Sequence, residues 1–229
     1  MKHVTPLIHP LDVIVFDCDG TLSQIEGIDY LASQNGVAKT VHTLTRAAMA
    51  ETGLSIHLYE ERLNLVKPTR VQIEMLTEHY IENMTPDADT VIAIFKKLGK
   101  SVYIFSAGVN PSVKLFGEKC GVPSENIFAI DLAFDAKGNY VDFDRHSLLI
   151  KQAGKQVLID QIKKKHRRIG FVGDGMNDVA AMHCVDRFVG YGGAFYREKI
   201  KNLCDIYLTD KSFMPLLSLF LTEKERSCF

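Results

Sequence analysis

Val13-Ile14-Val15-Phe16 runs straight into Asp17-Cys18-Asp19-Gly20-Thr21. Four apolar, β-branched or aromatic residues without alternation suit a strand buried on both faces, as in a parallel sheet. The same grammar returns twice. Val102-Tyr103-Ile104-Phe105 leads into Ser106-Ala107-Gly108, and Ile169-Gly170-Phe171-Val172 leads into Gly173-Asp174-Gly175-Met176-Asn177-Asp178. Helical periodicity lies between these runs. Thr90 to Leu98 sets Val91, Ile94, Phe95 and Leu98 on one face before Gly99, and Gln156 to Lys164 does the same with Leu158, Ile159 and Ile162. Strand–helix alternation predicts an α/β fold with a doubly wound, Rossmann-like parallel sheet. Ligands bind such sheets beyond the carboxyl ends of the strands, where all three polar clusters fall.

Two stretches break the alternation. Residues 24 to 85 contain no strand pattern; they carry helical stretches at Gly27–Gln34, Val41–Ala50, His57–Leu65 and Val71–Asn83, punctuated by Gly36, Gly53 and Pro68. This reads as a small helical bundle inserted after the first strand, so that 1–23 and 86–229 form the core and 24–85 a separate unit. Ile127 to Phe143 reads as a β-hairpin turning at Asp135-Ala136-Lys137-Gly138-Asn139. Phe213-Met214-Pro215-Leu216-Leu217 reads as a terminal helix docked on the core.

Composition excludes several classes. Of 229 residues, 46% are hydrophobic and 24% charged, too apolar for a disordered chain. Lys+Arg number 27 and Asp+Glu 28, a formal charge of −1, which gives no reason to propose nucleic acid or an anionic membrane as partner. The basic run Lys163-Lys164-Lys165-His166-Arg167-Arg168 falls at a helix C-terminus, where cations favour both dipole and solvent. Cys18, Cys120, Cys184, Cys204 and Cys228 are odd in number and contain no Cys-x-x-Cys pair, which suits reduced thiols in a cytoplasmic protein. The start of the chain meets Pro10 and Asp12 before any long apolar stretch, unlike a signal peptide. Phe213 to Leu221 is about half a membrane span. The expected protein is soluble and cytoplasmic. Its oligomeric state is open, a homodimer being one state weighed.

The polar clusters suggest a chemistry. Asp17 and Asp19 sit two apart just past a strand and approach one site from the same side. Close carboxylates repel unless one is protonated or a cation lies between them. Asp174 offers a third oxygen, and an all-oxygen site suits Mg²⁺ paired with a substrate phosphate. Ser106, neighbouring amides and a lysine are natural partners for phosphoryl oxygens. Cys18, flanked by both acids, reads as a neutral packing residue.

Asp17-Cys18-Asp19-Gly20-Thr21, Ser106, Lys155 and Gly173-Asp174-Gly175-Met176-Asn177-Asp178 resemble, in order and spacing, the four motifs of the haloacid-dehalogenase-like phosphohydrolases. The resemblance implies that Asp17 attacks phosphorus and forms an aspartyl-phosphate, with Asp19 as general acid and then base. It also implies Mg²⁺ held by Asp17, Asp174 and the main-chain oxygen of Asp19, with Asp178 orienting the metal's surroundings. Ser106, Ala107, Gly108, Lys155 and Asn177 would then surround the phosphoryl group.

Glu26-Gly27-Ile28-Asp29, Thr45-Arg46-Ala47-Ala48-Met49 and Glu61-Arg62-Leu63 resemble the helical cap of one branch of that family, the phosphoserine phosphatases. The similarity continues through Phe188-Val189-Gly190-Tyr191-Gly192-Gly193 to Tyr207-Leu208-Thr209-Asp210. By that resemblance Glu26 pairs with a substrate ammonium, Arg62 forks onto its carboxylate and Met49 touches the substrate. A charge-assisted bidentate pair contributes about 1.5–3 kcal/mol, roughly 10–150-fold in discrimination. Two positions depart from the pattern: Ser55 stands where a cap phenylalanine is usual, and Gly20 where serine is more common. The implied activity is Mg²⁺-dependent hydrolysis of O-phosphoserine in serine synthesis. The alternatives are another small phosphomonoester, such as phosphoethanolamine or phosphocholine, phosphotransfer to an alcohol such as homoserine, and a binding module that keeps only the fold.

Overall fold

The computed structural model describes residues 5–47 and 55–228. Six strands form one sheet in the order β3-β2-β1-β6-β7-β8, and every pairing in it is parallel: β1 (Val13–Phe16), β2 (Ser101–Val109), β3 (Ile127–Ile130), β6 (Ile169–Gly173), β7 (Arg187–Tyr191) and β8 (Tyr207–Leu208). β1 sits between β2 and β6 with Phe16 level with Ile104 and Val172. The Asp17 and Asp174 clusters therefore follow the carboxyl ends of β1 and β6 side by side, while Ser106-Ala107-Gly108 lies within β2, which continues to Val109 where the sequence pattern ends the strand at Phe105.

Burial on both faces explains the unbroken apolar runs. Ile14 and Phe16 point into one core, and Val13 and Val15 into another. On the first face lie α5 (Ala88–Lys97) and α10 (Pro215–Phe220), whose Phe95 and Phe220 rings meet at 6.2 Å while Phe213 stacks on Phe16 at 5.7 Å. On the second lies α7 (Gly154–Ile162), which contributes Leu158 and Ile159. α8 (Met176–Val179), α9 (Glu198–Leu203) and α11 (Glu223–Arg226) complete the outer layer.

The helical insert is α1 (Gly27–Gln34), α2 (Ala38–Ala47), α3 (Ile56–Val66) and α4 (Arg70–Glu82). Ser55 caps α3 by accepting from the Leu58 amide at 3.2 Å, and Thr69 and Gln72 form a reciprocal capping box at the start of α4. α4 lies against α6 (Ser112–Lys119): Ser112 Oγ donates to the Ile73 carbonyl at 2.6 Å, and Tyr80 stacks on Phe116 at 5.5 Å. The two chain crossings into the insert are tied together, since Gln24 N donates to Asn83 O and Thr85 N to Leu22 O, each at 2.8 Å.

The hairpin expectation needs correction. Only β4 (Leu132–Phe134) and β5 (Tyr140–Phe143) form an antiparallel pair around the Asp135–Asn139 turn. Ile127–Ile130 instead joins the main sheet as its edge beside β2. The β-rich segment is continuous in sequence, but Asp131 separates two strands that pair with different partners. No helix among the described residues is long and apolar enough to cross a membrane.

Candidate active site

The site begins where β1 ends. Asp17 is 5% exposed; its Oδ1 accepts from the Cys18 amide at 2.7 Å and its Oδ2 lies 2.8 Å from Lys155 Nζ. Lys155, from the first turn of α7, also donates to Asp178 Oδ1 at 2.6 Å, and Asp178 Oδ2 accepts from the Gly175 amide at 2.9 Å. Asp17, Asp174 and Asp178 each bring a carboxylate oxygen within 4.8 Å of the others, all buried. Thr21 Oγ1 donates to Asp174 Oδ1 at 3.4 Å. Gly20 turns the chain with φ 68°, and a Cβ there would come within 2.4 Å of Asp174 Oδ2, so the left-handed turn and the close approach both favour glycine.

Asp19 faces the other way. Its Oδ1 accepts from the Gly27 amide at 2.6 Å and from the Tyr80 hydroxyl at 2.7 Å, and its Oδ2 from Ser106 Oγ at 3.3 Å. Its carboxylate is thus outside the cluster of Asp17, Asp174 and Asp178. The Ser106 hydroxyl in turn accepts from the Gly108 amide at 2.9 Å, and the Ala107 carbonyl accepts from the Tyr59 hydroxyl at 3.1 Å.

A cavity opens beyond these groups, lined by Asp17, Asp19, Glu26, Arg62, Gly108 and Asn177 among others. Glu26 and Arg62 are 8% and 3% exposed. Arg62 Nε and Asn177 Oδ1 are buried without a hydrogen-bond partner among the described residues. The fold thus brings together Asp17, Asp19, Glu26, Arg62, Ser106, Ala107, Gly108, Lys155, Asp174, Asn177 and Asp178. Met49 lies outside the described residues.

Burial governs the electrostatics. It pushes the Asp17 carboxyl well above the usual carboxylate range; the Asp178 charge adds to this and Lys155 pulls against it. It also raises Asp19, against the hydrogen bonds from Gly27, Tyr80 and Ser106. Glu26 is raised to about 7 by burial and by the Asp19 charge, with Arg197 opposing. Burial would lower Lys155, yet attraction to Asp17 and Asp178 leaves it raised and firmly cationic. The Cys18 thiol is raised by burial and both flanking acids, in keeping with a neutral packing residue.

Three residues escape the sequence reading. Arg197 lies between Glu26, with NH2 3.0 Å from Oε1, and Asp174, to which NH1 donates. Tyr80 and Tyr59 supply the hydroxyl contacts to Asp19 and Ala107. Tyr80 falls on the buried stripe of α4 with Ile73 and Leu76, so periodicity reads it as core, and Arg197 carries no local signal.

Asp17, Asp174 and Asp178 are paired with only two cations, Lys155 and Arg197, among the described residues. The clustered hard oxygen donors fit a divalent cation that prefers oxygen ligands.

A sequence model of the haloacid dehalogenase-like hydrolases matches residues 11–186, and the chain belongs to that family. A phosphoserine phosphatase of Bos taurus is 33% identical over 208 residues, covering 90% of this chain and 92% of its own. The Homo sapiens phosphoserine phosphatase is 32% identical over 213 residues, covering 92% and 94%. Among solved structures, a substrate-bound phosphoserine phosphatase complex superposes with a TM-score of 0.82 at 23% identity, covering 93% of this chain and 100% of that one. A phospho-aspartyl intermediate analogue of phosphoserine phosphatase superposes equally well. At that identity the superpositions speak for the shared fold.

Gly108 gives a direct test of this geometry. A Cβ there would lie 2.6 Å from Asp19 Oδ2 and 3.0 Å from Ser106 Oγ. Gly108→Ala, whose Cβ would also meet Val113 Cγ2 at 2.8 Å, should displace the Asp19 carboxylate and, if that carboxyl transfers a proton in the reaction, lower kcat at least about tenfold, a positioned proton-transfer group being worth about 10²–10⁴. Steady-state phosphate release checks this, with circular dichroism confirming the fold.

Proposed function

We propose that the chain hydrolyses O-phospho-L-serine to L-serine and phosphate through a phosphorylated Asp17. The observation that carries this reading is the cavity itself. Asp17, Asp19, Ser106 and Lys155 stand on the sheet side, while Glu26 and Arg62 reach it from the insert. A phosphomonoester bearing one ammonium and one carboxylate matches both ends, and the relatives named phosphoserine phosphatase support the choice.

In the first step the Asp17 carboxylate attacks phosphorus in line as the bond to the serine oxygen breaks. Protonated Asp19 gives its proton to that oxygen, and serine leaves. In the second, Asp19 takes a proton from water as the water oxygen attacks the aspartyl phosphorus, regenerating the Asp17 carboxylate and releasing phosphate. The raised Asp19 carboxyl suits a group that must hold a proton before turnover. Ser106 and Lys155 orient the phosphoryl oxygens. Lys155 also holds Asp17 in place through its second partner, Asp178. Asp17, Asp174 and the main-chain oxygen of Asp19 would hold Mg²⁺, which when bound offsets charge on the transferring group. Residues 24–85 act as a cap over a core of 1–23 and 86–229, and the paired crossings at Gln24–Asn83 and Leu22–Thr85 make a natural hinge. The five free cysteines suit a cytoplasmic setting.

Phosphate release from phosphoserine and phosphoethanolamine, measured side by side with Mg²⁺ and with chelator, tests the assignment. Expected are a Mg²⁺-dependent preference for phosphoserine and a fall of about 10–100-fold in that preference in Arg62→Ala, the worth of a charge-assisted pair. Equal rates on the two esters in the unmutated protein would remove phosphoserine as the substrate.

Glu26 sets a second expectation. It must be ionised to attract an ammonium, and its carboxyl titrates at about 7. KM should therefore rise as pH falls from 8 to 6. The substrate phosphate titrates in the same window, so the comparison is with Glu26→Gln, whose KM should start higher and vary less. Parallel pH profiles would exclude this role.

A further inference from the structure

Arg62 is buried on α3, yet among the described residues no carboxylate forms an ion pair with it. Its guanidinium carbon lies 5.6 Å from the centre of the Tyr59 ring, one turn earlier on the same helix. Its Nη1 donates to Thr45 Oγ1 at 3.4 Å, and its Nε has no partner among the described residues. A buried cation left in this state favours an anion that enters from the cavity.

What lies behind it is a chain of three side chains from two helices, Thr45 and His42 on α2 and Asp29 on α1. Thr45, on α2 and 2% exposed, donates its hydroxyl proton to Asp29 Oδ1 at 2.8 Å. With the proton committed there, the oxygen turns a lone pair toward Arg62. Asp29, in the first turn of α1, has its other oxygen held by His42 Nδ1 at 2.7 Å, so the carboxylate cannot swing away freely. An anionic partner polarises the hydroxyl and strengthens it as an acceptor. The result is a negative end directed at the back of the guanidinium, which leaves the remaining N–H groups for a ligand.

We propose that Thr45 and Asp29 are positioning residues that aim Arg62 at the substrate carboxylate and so set how strongly the cap prefers a carboxylate-bearing phosphomonoester. This rests on the reading of Arg62 given above and extends it to two residues without a role in the chemistry. Neither needs to touch the substrate. Thr45→Val keeps shape while removing the hydroxyl; Thr45→Ser keeps the hydroxyl. Asp29→Asn keeps size and removes the charge.

The readout is the ratio of kcat/KM for phosphoserine to kcat/KM for phosphoethanolamine, which carries the same phosphate and ammonium but no carboxylate. Thr45→Val should lower that ratio by about tenfold, as expected for one hydrogen bond to a charged group, mainly through KM for phosphoserine. Asp29→Asn should lower it by less, and Thr45→Ser should restore it. A ratio unchanged in Thr45→Val, including an equal loss on both esters, would overturn the proposal and assign the chain of contacts to cap architecture alone. Arg62→Ala separates the two readings. If it lowers the ratio while Thr45→Val does not, the substrate assignment survives and the positioning role falls. If Arg62→Ala leaves the ratio unchanged, both fall.

Discussion

Burying several carboxylates on one surface is the constraint on which the rest of this structure depends. Asp17, Asp174 and Asp178 bring oxygens within 4.8 Å of one another, inside a fold that removes most of the water that would screen them. Lys155 is the central compensation. It is 1% exposed and holds Asp17 and Asp178 together from the first turn of α7. Single removal of a partner from such a network leaves an uncompensated buried charge, which is why its members act as a unit. The parallel sheet makes this possible by ending β1 and β6 side by side, so that Asp17 and Asp174 emerge at one level.

The insert is bound to the same constraint from the other side. Asp19 is held by the Gly27 amide at the start of α1 and by Tyr80 of α4, both on the helical insert. Glu26 precedes α1 directly, and Arg197 joins it to Asp174. In the proposed reaction, the group that exchanges the proton and the group that meets the ammonium thus lie on one short segment. If the two roles are as proposed, specificity and proton transfer share one anchor, because the Gly27 amide that holds Asp19 follows Glu26 directly.

Much of this was legible in the sequence, for physical reasons. β1 and β6 are buried on both faces, so their apolar runs stand out and lead directly into Asp17 and Asp174, while the apolar run of β2 leads into Ser106 inside the strand. The helices of the insert declare themselves through periodicity and through capping residues such as Ser55 and Thr69. Ser55, which departs from the family pattern, has a local task as the cap of α3. β7 and β8 were not legible as strands, the first opening on Arg187 and the second only two residues long. Strand pattern alone does not reveal the partner, so Ile127–Ile130 reads as part of a hairpin although it pairs with β2. Tyr80, Arg197 and the Thr45–Asp29 contact depend on helices meeting in space, and such long-range pairings leave no trace in spacing.

A divalent cation at the cluster of Asp17, Asp174 and Asp178 is the claim on which the proposed chemistry stands, and thermal unfolding with and without Mg²⁺ weighs it most directly. A cation bound at a hundred times its Kd should stabilise the folded chain by about 2.7 kcal/mol, roughly 5–10 °C in Tm for a domain of this size. The unmutated protein should show that rise, and Asp174→Asn should lose most of it. No shift in the unmutated protein, or an equal shift in both, would contradict a divalent cation at the Asp17–Asp174 cluster.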